Sequence, residues 1–162
     1  LPLDVTPTLE SVTARLTELV SQQVIDEKLA EKINVDSIVW FYQTALGQQI
    51  LSQAEKVHRE QPFSMLKDAR KIFLDFDEAD AELLVHGIID GYIELEDHII
   101  LYDFKTDVVH GEQGEQKLVN QYKGQLRLYK EALQEGLGKP VSETYLVLLN
   151  AQKLLSLKDE VR

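Results

Sequence analysis

Apolar positions follow a helical repeat in the first third of the chain and a strand repeat in its middle. Leu9, Val12, Leu16, Leu19 and Val20 fall on one face of a 3.6-residue period, and Thr6 and Pro7 suit the N-cap and first helical position, which predicts a helix over 7–20. Ile25, Leu29 and Ile33 predict a second helix over 24–33. Asn34 or Asp36 can cap a third that carries Ile38, Val39, Phe41, Tyr42, Ala45 and Leu46. After Gln53 the pattern changes. "AEKVHREQPF" and "ARKIFLDF" read as strands or strand plus turn, and "ELLVHGIIDGYIEL" and "HIILYDFKT" are rich in Ile, Leu, Val and Tyr. From Glu112 a long helix carries Leu118, Tyr122, Leu126, Tyr129 and Leu133 on one side, with Gly136 and Gly138 at its end. "ETYLVLLN" at 143–150 is a near-continuous apolar run, as expected of a strand buried on both faces. The order of helices, strands, helix, strand predicts one α/β (α+β) domain: a central mixed sheet flanked by helices, with a helical N-terminal third.

Two of these strands are separated by so few residues that a hairpin must join them, with Glu96 and Asp97 as its turn. Leu95 then faces His98, and every facing pair sums to 193. In this register Asp90 lies opposite Asp103, with Cβ atoms roughly 4.5 to 5.5 Å apart. Ile89, Gly91, Ile93, Ile100, Tyr102 and Phe104 would share one apolar face, Gly91 leaving room for Tyr102. The other face would carry Asp90, Asp103 and Lys105.

Composition narrows the chemistry. The 162 residues fit a domain that can bury its own core, and the absence of cysteine excludes disulfides, thiolate zinc sites, a cysteine nucleophile and a cysteine-ligated iron–sulfur cluster. Seventeen Lys and Arg against 28 Asp and Glu give a formal charge of −11, which argues against a free-standing nucleic-acid binder. The acidic run "DFDEAD" at 75–80 reads as a solvated turn, since it lacks the glycine-pivoted spacing of a calcium loop. No apolar run reaches the roughly 18 residues that span a bilayer and no signal peptide is present, so a soluble, cytoplasmic protein is expected.

Opposed carboxylates repel, and burial adds to the cost. A shared proton, a cation such as Lys105 or a bound metal relieves it. Oxygen ligands without clustered histidine favour Mg²⁺ or Mn²⁺, which can also engage a phosphate. Gln121, Gln125 and Tyr129 recur at steps of four as a polar ridge on the long helix. Glu60, at the end of a predicted strand, is a further candidate acid. His58, His86, His98 and His110 show no metal-ligand spacing, no serine sits in a nucleophile elbow, and no glycine-rich loop suggests ATP binding. A lysine pairing with an aspartate on an exposed hairpin face would account for the hairpin charges equally well.

Gly-Ile-Ile-Asp at 87–90, Asp-Phe-Lys-Thr at 103–106 and Gln-x-x-x-Tyr at 125–129 occur in that order, and the stretch from Val57 to Leu149 resembles the RecB-family branch of the PD-(D/E)XK nucleases. The resemblance is strongest to the C-terminal nuclease domains of the AddA (RexA) type in bacterial ATP-dependent helicase/nuclease complexes. It implies a restriction-endonuclease-like core over 54–150 beside a helical part over 1–53. It further implies Asp90 and Asp103 as metal ligands, Lys105 as the catalytic lysine, Gln125 and Tyr129 as supporting residues, and Mg²⁺-dependent cleavage of DNA. The strand would be unwound by a linked helicase in double-strand-break repair. ATP would bind only in the helicase part, and the partner would be a second subunit of the AddB (RexB) type.

Members of that family carry a metal-ligating histidine on an upstream helix, whereas no histidine precedes His58 here. With the start at Leu1, this departure leads to the expectation of a fragment of a longer helicase/nuclease chain, weakly active or inactive by itself. Tethering to a helicase would answer the charge objection by raising the local concentration of the strand. Lys117, Lys123, Arg127 and Lys130 offer a local basic strip. The alternatives are a non-catalytic module that keeps the nuclease fold to guide DNA or contact subunits, and a stand-alone restriction or resolvase enzyme, which the acidity disfavours.

Overall fold

Thr8, rather than Thr6, caps the first helix. In the computed structural model, which describes residues 2–68 and 81–157, Thr8 accepts a hydrogen bond from the Ser11 amide and Ser11 Oγ accepts one from the Thr8 amide. This capping box starts α1 (Leu9–Ser21), and Pro7 lies buried just ahead of it. The predicted second helix shrinks to one turn, α2 (Glu27–Ala30), set by Asp26, whose carboxylate accepts from the Leu29 amide at 2.7 Å.

The third predicted helix is two, α3 (Val35–Gln43) and α4 (Ala45–Ser52). Thr44 between them takes an extended conformation (φ −69°, ψ 161°), and its hydroxyl donates to the Phe41 carbonyl while accepting from the Gly47 amide. One side chain thus closes one helix and opens the next. A short 3₁₀ turn (Ala54–Lys56) leads into the sheet.

Five strands form one sheet in sequence order: β1 (Val57–Asp68), β2 (Glu82–Glu94), β3 (Ile99–Lys105), β4 (Val141–Leu148) and β5 (Lys153–Ser156). All neighbours are antiparallel except β3 and β4, which run parallel because α5 (Gly111–Leu137) crosses between them. The mixed sheet matches the expected fold, although the sequence pattern does not predict β5. The predicted strand "ARKIFLDF" and the acidic run at 75–80 lie outside the described residues. Gly138, left-handed at φ 66°, caps α5, and Gly136 stays inside it.

The sheet is covered on both faces. On one, Leu118, Leu126, Tyr129 and Leu133 of α5 pack against Ile89, Leu101, Leu146 and Leu148. On the other, Phe41, Leu46 and Ile50 of α3 and α4 pack against Ile93, Ile100, Tyr102 and Val147. Double coverage explains why β4 is an almost unbroken apolar run. Among the described residues, no helix is long and apolar enough to cross a membrane.

Candidate functional site

The site begins with the register of the β2–β3 hairpin. Gly91 faces Tyr102, Tyr92 faces Leu101, Ile93 faces Ile100 and Glu94 faces Ile99, all summing to 193, and the Leu95 amide donates to the His98 carbonyl at 2.9 Å across the turn. Gly91 is required here. A Cβ at this position would lie 2.2 Å from Cζ of the buried Tyr102 ring.

One residue past Gly91 the regular ladder stops. The Phe104 amide donates at 2.8 Å to Oδ2 of Asp90, so the side chain replaces a backbone acceptor. On the far side of β2, Arg59 faces Gly91 and Gln61 faces Ile89, but Glu60, level with Asp90, adopts a left-handed φ of 51°. A non-glycine residue in this conformation costs on the order of 1 kcal/mol or more.

Inward and outward positions exchange across this level. His58 stacks on Tyr92 at 4.7 Å, and Phe63 and Ile89 join the α5 face, although their parity would put them on the other. Ile89 therefore does not share a face with Gly91 and Ile93, contrary to the sequence expectation. The pleat is interrupted at Glu60 and Asp90, and these two acids leave the regular faces to line a cleft of about 730 Å³ with Arg59 and Phe104. Glu60 is also an interior residue of β1, not a strand end.

Asp103 is 2% exposed, and Lys105, two residues on, projects toward α5. Lys105 Nζ stands 2.8 Å from Asp103 Oδ2, a close ion pair at a buried oxygen. The ammonium does donate to Gln125 Oε1 at 3.0 Å, and Gln125 Nε2 donates to the Tyr129 hydroxyl at 2.9 Å. The Tyr129 ring packs edge-on against Phe63. Asp103, Lys105, Gln125 and Tyr129 thus form one polar chain from β3 into α5. Gln121, the third member of the predicted ridge, is exposed.

Electrostatics follow from this packing. Burial pushes Asp103 up to about 6 and outweighs the pull of Lys105, while repulsion from Asp90 adds to the rise. Burial alone would lower Lys105, but Asp103 reverses this and raises it, so it stays an ammonium at neutral pH. Burial, reinforced by the charge of Asp103, raises the Tyr129 phenol.

Sequence reasoning misses two residues. The Tyr122 ring lies 4.1 Å from Lys105 Nζ, and its hydroxyl donates to Asp107 at 3.1 Å. Along the sequence Tyr122 reads only as an apolar helix position, yet Lys105, Tyr122 and Gln125 meet in space. The histidines stay apart, His58 beside Glu94 and His98 beside Asp97. On the basic strip, Lys117 and Arg127 are exposed, while Lys123 donates to Asn120.

Among the described residues, no three acidic or histidine side chains gather into a ligand set. Asp90 and Asp103 are nevertheless adjacent, and Asp103 is buried with Lys105 as its counter-ion. Such a pair fits a hard divalent cation that completes its shell with water, as Mg²⁺ does.

Comparison with known proteins agrees with this geometry. The chain matches the PD-(D/E)XK nuclease superfamily over residues 4–160. It is 45% identical over 155 residues to the A subunit of an ATP-dependent helicase/nuclease from Enterococcus faecalis, covering 94% of this chain and 12% of that protein. The corresponding protein of Levilactobacillus brevis is 40% identical over 163 residues, 99% of this chain and 13% of that protein. That of Lactiplantibacillus plantarum is 44% identical over 153 residues, 93% of this chain and 12% of that protein. The chain thus spans about an eighth of the length of the relatives it matches, and it belongs to the PD-(D/E)XK nuclease superfamily.

Proposed function

We propose that the chain is the nuclease domain of a helicase/nuclease protein and hydrolyses DNA phosphodiester bonds with a divalent cation, Mg²⁺ or Mn²⁺. The observation that carries this reading is the convergence of Asp90, Asp103 and Lys105 beside the Gln125–Tyr129 ridge. Asp90 and Asp103 would hold the cation. When bound, it supplies Lewis-acid polarisation of the phosphoryl oxygen and an activated water.

The chain's own residues do the rest. Asp90 keeps its carboxylate at the sheet end by accepting from the Phe104 amide. Lys105 orients the attacking water and offsets the charge that develops on the phosphoryl oxygens. Gln125 fixes the ammonium and Tyr129 fixes Gln125, so the position of the ammonium is set by helix α5 and not by a flexible stem. Glu60, which lines the same cleft, adds a further carboxylate beside Asp90.

In this reading residues 1–53 form the helical part and 54–150 the nuclease core of one domain in a longer chain. The substrate is a DNA strand delivered by the linked helicase in break repair and recombination, alongside a second helicase/nuclease subunit. The formal charge of −11 supports tethered delivery over capture from solution. Mn²⁺ binding, followed by electron paramagnetic resonance, tests the ligand assignment: Asp90→Asn should weaken binding at least tenfold, and unchanged affinity would refute it.

A further inference from the structure

We propose that Tyr122, tethered by Asp107, is a positioning residue for Lys105, an inference that rests on the nuclease reading above. The Lys105 ammonium stands 4.1 Å from the centroid of the Tyr122 ring, within the range of a cation–π contact. The Tyr122 hydroxyl donates to both oxygens of Asp107, at 3.1 and 3.3 Å. Asp107 lies two residues beyond Lys105 on the segment leaving β3, and Tyr122 is on α5. The tether therefore links the strand that carries the lysine to the helix that holds it. Tyr122 and Gln125, three apart on α5, grip the ammonium from the same side.

This grip matters because the other partner of Lys105 has a competing task. Asp103 pairs with Lys105 at 2.8 Å but, in the nuclease reading, would also hold the divalent cation. With a doubly charged ion at Asp103 the ammonium would be repelled, and a lysine with four rotatable bonds would swing away. The ring face attracts the ammonium without competing for the carboxylate. Donation from the phenol to the Asp107 carboxylate makes the ring more electron-rich and fixes its plane. Tyr122 thus keeps Lys105 aimed once Asp103 is engaged.

The test compares Tyr122→Leu, Tyr122→Phe and Asp107→Ala in the full chain, with Mg²⁺ and a 5′-labelled single-stranded oligodeoxynucleotide. Tyr122→Leu should lower kcat about tenfold with KM unchanged within about twofold, since a partly desolvated cation–π contact is worth roughly that factor. Tyr122→Phe keeps the ring and should recover most of the loss, with Asp107→Ala falling between them. A packing role alone would lower Tm in Tyr122→Leu and leave kcat of both Phe and Leu variants at the native value.

Proton shifts of the Lys105 side chain give a readout independent of cleavage. They should lie upfield in the native chain and in Tyr122→Phe, and move to ordinary values in Tyr122→Leu. Wild-type kcat in Tyr122→Leu, or no upfield shift in the native chain, overturns the inference while leaving the nuclease reading standing. No cleavage by the native chain with the shift present overturns the nuclease reading, and with it the catalytic role of the grip.

Discussion

Replacing Asp103 by asparagine should stabilise the fold while removing the proposed activity. Asp103 is 2% exposed and its ionisation is pushed from an ordinary 3.8 to about 6, chiefly by burial, with Lys105 only partly compensating. At 1.36 kcal/mol per tenfold, holding this group charged costs the native state about 3 kcal/mol. Asparagine resembles the neutral acid in shape and removes the cost, so the gain at pH 8 should lie between about 1 and 3 kcal/mol. Because the folded pKa is raised, the native chain binds more protons folded than unfolded between pH 4 and 6, and its stability falls as pH rises through that window. The advantage of the variant should therefore be small near pH 4, grow up to about pH 6 and stay level above 7. Urea unfolding of both proteins in EDTA at several pH values measures the difference. A gain of 3 kcal/mol corresponds to roughly 6 to 12 °C in Tm for a chain of this size. Equal or lower stability of Asp103→Asn at pH 8 would refute the argument that burial sets this pKa.

Other substitutions probe the scaffold. Gly91→Ala should destabilise by about 2 kcal/mol, because its Cβ would meet the buried Tyr102 ring, and thermal unfolding reads it directly. Thr44→Ala removes the hydroxyl that joins α3 to α4 and should cost about 1 kcal/mol in urea unfolding. Gln125→Leu, which cuts the link between Lys105 and Tyr129, should lower kcat for oligonucleotide cleavage roughly tenfold while leaving Tm within a few degrees.

The hairpin register was legible because a short turn admits few pairings, although the regular ladder ends at Gly91 and Tyr102, one position short of Asp90 and Asp103. The long helix was legible from its periodic apolar face, and β4 from its unbroken run. What escaped the sequence depended on single side chains or on tertiary contact. Thr44 splits a periodic segment through two local hydrogen bonds that leave the apolar period intact. The left-handed Glu60 is not encoded by a glycine or asparagine, so nothing in "VHREQPF" announces the inversion of the pleat. β5 is four residues long and gains its identity only by pairing with β4. The Tyr122–Asp107 contact joins residues 15 apart across a strand end and a helix, where periodicity carries no information.

The most direct test of the central claim is Mg²⁺-dependent cleavage of a labelled single-stranded oligodeoxynucleotide by the longer helicase/nuclease chain and by its Asp103→Ala variant, with circular dichroism as the control for folding. The native protein should cleave in a reaction that EDTA abolishes, and Asp103→Ala should lack that cleavage despite an intact fold. Cleavage by Asp103→Ala at the native rate would contradict the claim.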